Sequence, residues 1–535
     1  MNRTTRVRMP CCTHATLVSR ALTLILLACC SLSLLQGCDS TGVTSTTVPP
    51  PIQLQTPTVS VNPSATNLTT AQSLAVTVAV SGSATTPTGA VTLSSGSYGS
   101  FTTTLTNGTA AVSVPAGLLV AGNDTLTASY TPNATSAAVY KSASGTTTVA
   151  VTLASNPPTL TISDVTYATK SAPFQAIVSP SGTVFVAIAN GVQVFTPNNG
   201  VLTPTCVNTL SSSLLSEGGE VSELSYLPSG IDIAAGIGSP GAIFYNAAAL
   251  QTCTATGYVS SQGTIASDQG SQAVAVSSDG KYAFVSNEYG VAAGAKTEGN
   301  IGVVALAYDS NGNVNGGTLL GQISTGGTAI AGMLLSPDGT RLYVTSEIAA
   351  SSSQGAGSNP VLTRTGCVQQ TGVASNINGL LTVINVATAE MSPGSSAILA
   401  IVNAGCSPVR MAETANGSTL WVAIRGDNRV LAFSTGMLEL RPDNALLGYA
   451  DTGGTAPVGI ALLNSDNLLA VANSNRFNAG IANAAILSVA YPSAASVVQT
   501  ITTGLFPREV TTGPDDATLY LTNYDSNTLE VISTK

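Results

Sequence analysis

Apolar residues recur at every second position through most of this chain. Between residues 57 and 153 the alternating runs are Thr58-Val59-Ser60-Val61, Leu74-Ala75-Val76-Thr77-Val78-Ala79-Val80 and Ala90-Val91-Thr92-Leu93. Ala110-Ala111-Val112-Ser113-Val114, Thr125-Leu126-Thr127-Ala128-Ser129-Tyr130 and Thr148-Val149-Ala150-Val151-Thr152-Leu153 follow. Period-two spacing broken by turn residues predicts half-buried strands packed as a sandwich. Ala154-Ser155-Asn156-Pro157-Pro158 then reads as a linker.

From about residue 159 the pattern becomes a repeat. The clearest copies are Val276-Ser277-Ser278-Asp279-Gly280-Lys281-Tyr282-Ala283-Phe284-Val285 and Leu335-Ser336-Pro337-Asp338-Gly339-Thr340-Arg341-Leu342-Tyr343-Val344. A third is Gly513-Pro514-Asp515-Asp516-Ala517-Thr518-Leu519-Tyr520-Leu521-Thr522-Asn523. Each predicts strand, tight turn, strand, polar loop and strand, with Asp-Gly favouring the turn because Gly accepts positive φ. Such turns fall near Gly182, Gly230, Gly280, Gly339, Gly417, Asp466 and Asp516. Most are spaced by about 50 residues, a period that means propeller blades. Two longer gaps place insertions in the third and fourth blades, the larger around Ser351–Asn376. The chain reaches Lys535 just after the third strand of the last blade. Thr159-Leu160-Thr161-Ile162-Ser163 is expected to supply the fourth strand and close the ring.

Three resemblances refine this all-β reading. Residues 57–153, through Pro87-Thr88-Gly89-Ala90-Val91-Thr92-Leu93 and Gly122-Asn123-Asp124-Thr125-Leu126, resemble bacterial Ig-like domains, which implies an Ig-like β-sandwich with a spacing or adhesive role. The repeats of 159–535, most closely Leu521-Thr522-Asn523-Tyr524-Asp525-Ser526-Asn527-Thr528-Leu529-Glu530-Val531-Ile532, resemble the YVTN family, related to the lactonase-like propellers. That implies a seven-bladed β-propeller. Leu35-Gln36-Gly37-Cys38 resembles a lipobox and follows Arg3, Arg6, Arg8, Arg20 and the apolar run Ala21–Leu35. The run spans about 15 residues, short of the roughly 20 that cross a bilayer as a helix. The resemblance implies a signal peptide over 1–37 and lipidation of Cys38, with an ordinary secretory signal as the alternative. Residues 38–56, rich in Ser, Thr and Pro, read as a tether. The expected location is the cell envelope, on the periplasmic or cell-surface side, with inner or outer membrane open.

Beyond residue 37 there remain 13 basic and 26 acidic residues, a net of −13. Phosphate repulsion then argues against nucleic acid as a partner. The only histidine, His14, lies in the signal segment. Its loss excludes Ser-His-Asp and Cys-His catalysis and histidine-held zinc or haem. Cys206, Cys253, Cys367 and Cys406 remain, with no CxxC spacing. In an oxidising compartment this predicts disulfides rather than a metal site. Of three possible pairings, Cys206–Cys253 and Cys367–Cys406 join neighbouring repeats. No metal or cofactor is expected.

In such propellers the first strand of each blade lines the axial channel. The position seven before each turn reads Gln175, Glu223, Ala273, Gly332, Arg410, Gly459 and Glu509 and is expected near one channel mouth. Loops after the second strands add Glu288, Glu347, Arg425, Arg476 and Asp525 on the same face. The lactonase resemblance implies a site with Arg and Glu, roles that Arg410, Glu223 and Glu509 fill, and a histidine, which nothing fills. Metal-dependent hydrolysis would draw on Glu223, Glu509 and Asn523. Three functions stand open: an interaction platform binding a protein, small molecule or carbohydrate; a lactonase-like hydrolase; and an envelope-assembly scaffold.

Overall fold

The computed structural model describes residues 53–535 except 71, 96–97, 101, 116, 120–121, 153–159, 217–218, 239–240, 255–269, 289–297, 350–377 and 477–481. Cys38, its signal segment, Cys367 and the Ser351–Asn376 insertion therefore lie outside the described residues. The unit Leu54–Lys535 contains both folded parts. No helix among the described residues is long and apolar enough to cross a membrane.

The first part is a two-sheet sandwich. Strands Thr58–Pro63, Leu74–Ser81 and Thr109–Val114 form one sheet, and Gly122–Pro132 sits centrally in the other between Gly89–Ser95 and Ala143–Thr152. Leu74, Val76, Val78 and Val80 all point into one core while Ala75 and Thr77 face out. That is what strict alternation demands of a sheet wet on one face. The sandwich packs against the propeller. Gly99 lies so close to Met437 that a Cβ there would fall 2.2 Å from the sulfur, and Gly436 faces the Gly99 carbonyl. Leu447, from the fifth propeller blade, packs on the sandwich core.

The second part is a ring of seven antiparallel sheets. Their first strands are Pro173–Val178, Gly219–Tyr226, Val274–Val276, Gly327–Leu335, Pro408–Glu413, Pro457–Leu463 and Pro507–Thr512. Each packs beside the next, and the last beside the first, so they enclose an axis. One apolar cluster fills each junction between adjacent blades. Trp421, fully buried in the fifth blade, meets Ile460, Leu469 and Val471 of the sixth. Ala176, Val184 and Phe195 of the first meet Leu529 of the seventh. Second-strand segments such as Val184–Ile188 and Thr419–Ile424 are buried on both faces, which explains their continuous apolar runs.

All seven turn positions have left-handed backbone, from +84° at Gly182 to +55° at Asp516. Asp466 and Asp516 adopt it without being glycine. Each has a compensating bond: Asp466 accepts from the Ala415 N–H at 2.7 Å and Asp516 from the Ser465 N–H at 2.6 Å, latching one blade's turn to the preceding one.

The ring closes through strand Ser163–Ala168, paired antiparallel to Thr528–Ser533 from Ser163↔Ser533 to Ala168↔Thr528. This corrects the expected closing segment, Thr159–Ser163, by about one strand length. Leu160 and Ile162 instead pack against the core of the last two blades. An outermost strand needs backbone pairing more than an apolar face, and Ser163–Ala168 is exposed at five of its six positions.

Candidate functional site

The channel-lining strands are irregular in a way that decides which side chains reach the axis. In six blades the pairing of first and second strands slips, between Pro173 and Ala176, Gly219 and Glu223, Ile330 and Gly332, Pro408 and Met411, Pro457 and Ile460, and Pro507 and Glu509. Three of these strands are entered through left-handed residues just before proline: Ser407, Ala456 and Phe506, each at φ +51°. A bulge breaks the in–out alternation, so two consecutive residues bear on the channel. Arg508 and Glu509 are such a pair.

Two cavities result, at opposite ends of the channel. The entry mouth, about 320 Å³, is built from the beginnings of the first strands and the loops after the second strands. Its charged lining is Arg410, Arg425, Arg476 and Arg508 with Glu220, Glu288 and Glu347, beside Phe174, Phe506 and Tyr524. The exit mouth, about 400 Å³, is built from the strand ends and hairpin turns, with Gln175, Glu223, Glu413, Asp466 and Glu509 among Met411, Ile460 and Leu462. Arg410 borders both.

Arg410 therefore sits at the waist. Its Nε donates to Glu509 Oε2 at 2.7 Å, and its Nη2 is 3.7 Å from Glu223 Oε2. All three side chains are largely withdrawn from solvent, at 14%, 8% and 14% exposure. Burial pushes the Glu223 carboxyl up to about 7 against the opposing pull of Arg410. Glu509 is raised by the same desolvation, held back by Arg410. The guanidinium is driven up by its two carboxylates, which outweigh burial.

This changes the single face expected from the sequence. Glu288, Glu347, Arg425 and Arg476 gather at the entry mouth. Gln175, Glu223 and Glu509 border the opposite cavity, and the Gln175 carboxamide accepts the Leu224 N–H. The entry mouth is lined instead by Phe174, Gln272, Ala331, Val458 and Arg508, each one position before the counted residue, and by Glu220, three before Glu223. Asp525 is exposed and outside the lining of either mouth. Asn523 is fully buried and donates to Glu530 at 3.0 Å, so it does not join Glu223 and Glu509. Among the described residues no three His, Cys, Asp or Glu side chains converge as a metal site.

Arg508, Glu220, Phe174, Phe506 and Tyr524 were not singled out by register. The sequence offered only the run Phe506-Pro507-Arg508-Glu509, and the left-handed backbone at Phe506 that sets its direction appears only in the structure. Arg508 lies 4.2 Å from the Phe174 ring centre and 5.5 Å from that of Tyr524. Phe174 meets Tyr524 edge-on at 5.1 Å, and Tyr524 meets Phe506 at 5.4 Å. Arg476 lies 5.8 Å from the Phe506 ring. Arg425 is paired with Glu347. At the exit mouth Glu413 accepts from the Tyr343 hydroxyl at 3.2 Å, and burial raises it to about 7.

Cys206 and Cys253 are bridged, Cα to Cα 5.2 Å, across 47 positions. Cys406 is also disulfide-bonded. Cys367, its expected partner, lies outside the described residues.

No family model matches this chain, and no curated protein does. Among solved structures, a chain in the crystal structure of a mitotic checkpoint complex aligns over 69% of this chain and 91% of its own, at 11% identity and TM-score 0.47. A functionally unknown protein from Desulfotomaculum acetoxidans DSM 771 aligns over 53% and 69%, at 12% identity and TM-score 0.34.

Proposed function

We propose that this chain is a binding protein of the cell envelope, held through a lipid on Cys38, whose propeller is an interaction platform with a small-ligand site at its entry mouth. The observation that carries the reading is the entry-mouth cavity itself. Seven charged side chains and three aromatic rings converge on about 320 Å³. A concave site with a few placed polar groups is the usual form of a ligand pocket. The YVTN and Ig-like resemblances agree with an exported, surface-displayed module. Thermal scans of the chain against metals, lactones, sugars and small acids test it. A ligand that raises the melting temperature, and does so less in Arg476→Ala, supports the site. A flat response across the panel leaves only protein partners, to be sought by crosslinking. Loss of lipid labelling in Cys38→Ser tests the anchor.

A second reading is favoured by one observation. Glu223, raised to about 7 beside Arg410, is poised as a general acid–base near neutral pH. In that reading the waist hydrolyses a lactone or similar ester. Turnover abolished by Glu223→Gln, with a pH profile inflecting near 7, is its expected signature. Absence of turnover over the lactone panel removes it.

A further inference from the structure

We propose that the entry mouth is built for a small zwitterion, an amino acid or a close relative with an apolar side chain, whose carboxylate meets Arg508 and whose ammonium meets Glu220. The inference rests on the binding reading above and names its ligand class.

It follows from charge pairing within the mouth. Arg410 is held by Glu509 and Glu223. Arg425 is held by Glu347. Glu288 and Arg476 have interactions of their own. Arg508 and Glu220 both line the same cavity. Neither makes a hydrogen bond or an ion pair within 4.0 Å to a described residue, although Glu220 is close enough to act on Arg508 through its field. One cation and one anion of the mouth thus lack a protein partner among the described residues within hydrogen-bond or ion-pair distance.

Arginine normally answers such a position by closing on the nearest carboxylate. Here the guanidinium is held by the faces of Phe174 and Tyr524 instead. Cation–π contact fixes its plane while leaving its N–H donors for a ligand. An ion of either sign alone would satisfy one of the two groups and face repulsion from the other. A net-neutral ligand with both charges satisfies both. The rings of Phe506 and Tyr524, with Val409, Val458 and Ile330, supply the apolar wall for the rest of it.

The test is isothermal titration of the full chain with phenylalanine and its two half-charged analogues, 3-phenylpropionate and phenethylammonium. Phenylalanine is expected to bind at least tenfold tighter than either analogue, since each lacks one charge-assisted bond. Arg508→Met is expected to erase the advantage over phenethylammonium, and Glu220→Gln the advantage over 3-phenylpropionate. Arg508→Lys, which keeps the charge, is expected to retain part of the first. Unchanged melting temperatures in the variants separate these losses from misfolding. Equal affinity for phenylalanine and 3-phenylpropionate would make this an anion site and overturn the proposal. Equal affinity for phenylalanine and phenethylammonium would overturn it the other way. If none of the three binds while another ligand from the thermal panel does, the zwitterion inference fails and the binding reading stands. If nothing from either set binds, both fail.

Discussion

Replacing Arg410 by methionine isolates the electrostatics of the channel waist. The guanidinium lies 2.7 Å from Glu509 and 3.7 Å from Glu223. At an effective dielectric of about 20 these separations correspond to attractions of roughly 6 and 4.5 kcal/mol before any desolvation is charged against them. Desolvation offsets much of that, and the measured cost of removing one partner from a buried ion pair is about 3–5 kcal/mol. The loss should depend on pH. Glu223 titrates near 7 in the fold against 4.5 unfolded. A carboxyl raised by folding binds more protons in the native state between those values, so its contribution to stability falls as pH rises from about 4.5 to 7 and is flat above. Removing Arg410 removes the main influence that lowers both Glu223 and Glu509, so their cost is full at pH 8 and relieved at pH 5 where they protonate. An unfolding entropy of about 2.1 cal/mol/K per residue over roughly 370 residues converts 1 kcal/mol to about 1.3 °C. Calorimetry of Arg410→Met should then show a drop of about 4–6 °C at pH 8 and a clearly smaller one at pH 5. The triple variant with Glu223→Gln and Glu509→Gln should recover most of it at pH 8. Equal drops at both pH values, or no recovery in the triple variant, would refute the assignment of the trio as a coupled buried network.

Other perturbations probe the frame. Deleting Thr528–Lys535 removes the partner of Ser163–Ala168 and the last seal of the ring, so cooperative melting of the propeller should disappear from the calorimetric trace. The Cys206→Ala, Cys253→Ala double variant opens a loop of 47 positions, which chain entropy values at about 4 kcal/mol, visible as a lower urea midpoint. Gly339→Ala forces a side chain to φ +71° with Ser278 close by, and should cost about 1 kcal/mol or more by the same measurement. Tyr343→Phe removes the donor that holds Glu413 down, so the Glu413 carboxyl, near 7 in the parent, should titrate higher by carbon NMR.

Much of this architecture was legible along the chain because it depends on local chemistry. Alternation in Leu74–Val80 allows only a strand with one buried face. The seven turns were countable because a left-handed position in a tight turn favours Gly, Asn or Asp, and all seven positions adopt it. The absence of histidine beyond His14 bounded the chemistry without any coordinates. Closure of the ring by an N-terminal strand was also foreseeable, since a last blade whose own strands stop at the third leaves an edge. Its position was not, because an outer strand is chosen by backbone pairing, and Leu160 and Ile162 advertised an apolar face that went elsewhere.

The site was decided in three dimensions. Register counting brought Arg410, Glu223 and Glu509 into one set, and they do meet, yet at the waist and with Glu223 and Glu509 turned toward the exit mouth. A bulge adds a residue without changing composition, so its effect on direction is invisible to a period-two count. That one-residue slip is what aims Arg508 at the entry mouth beside Phe174, which lies 334 positions earlier and becomes a neighbour only when the first and seventh blades close. Which residues face in is a local property of the strand. Which of them find partners, and which are left for a ligand, depends on seven separate strands converging on one axis.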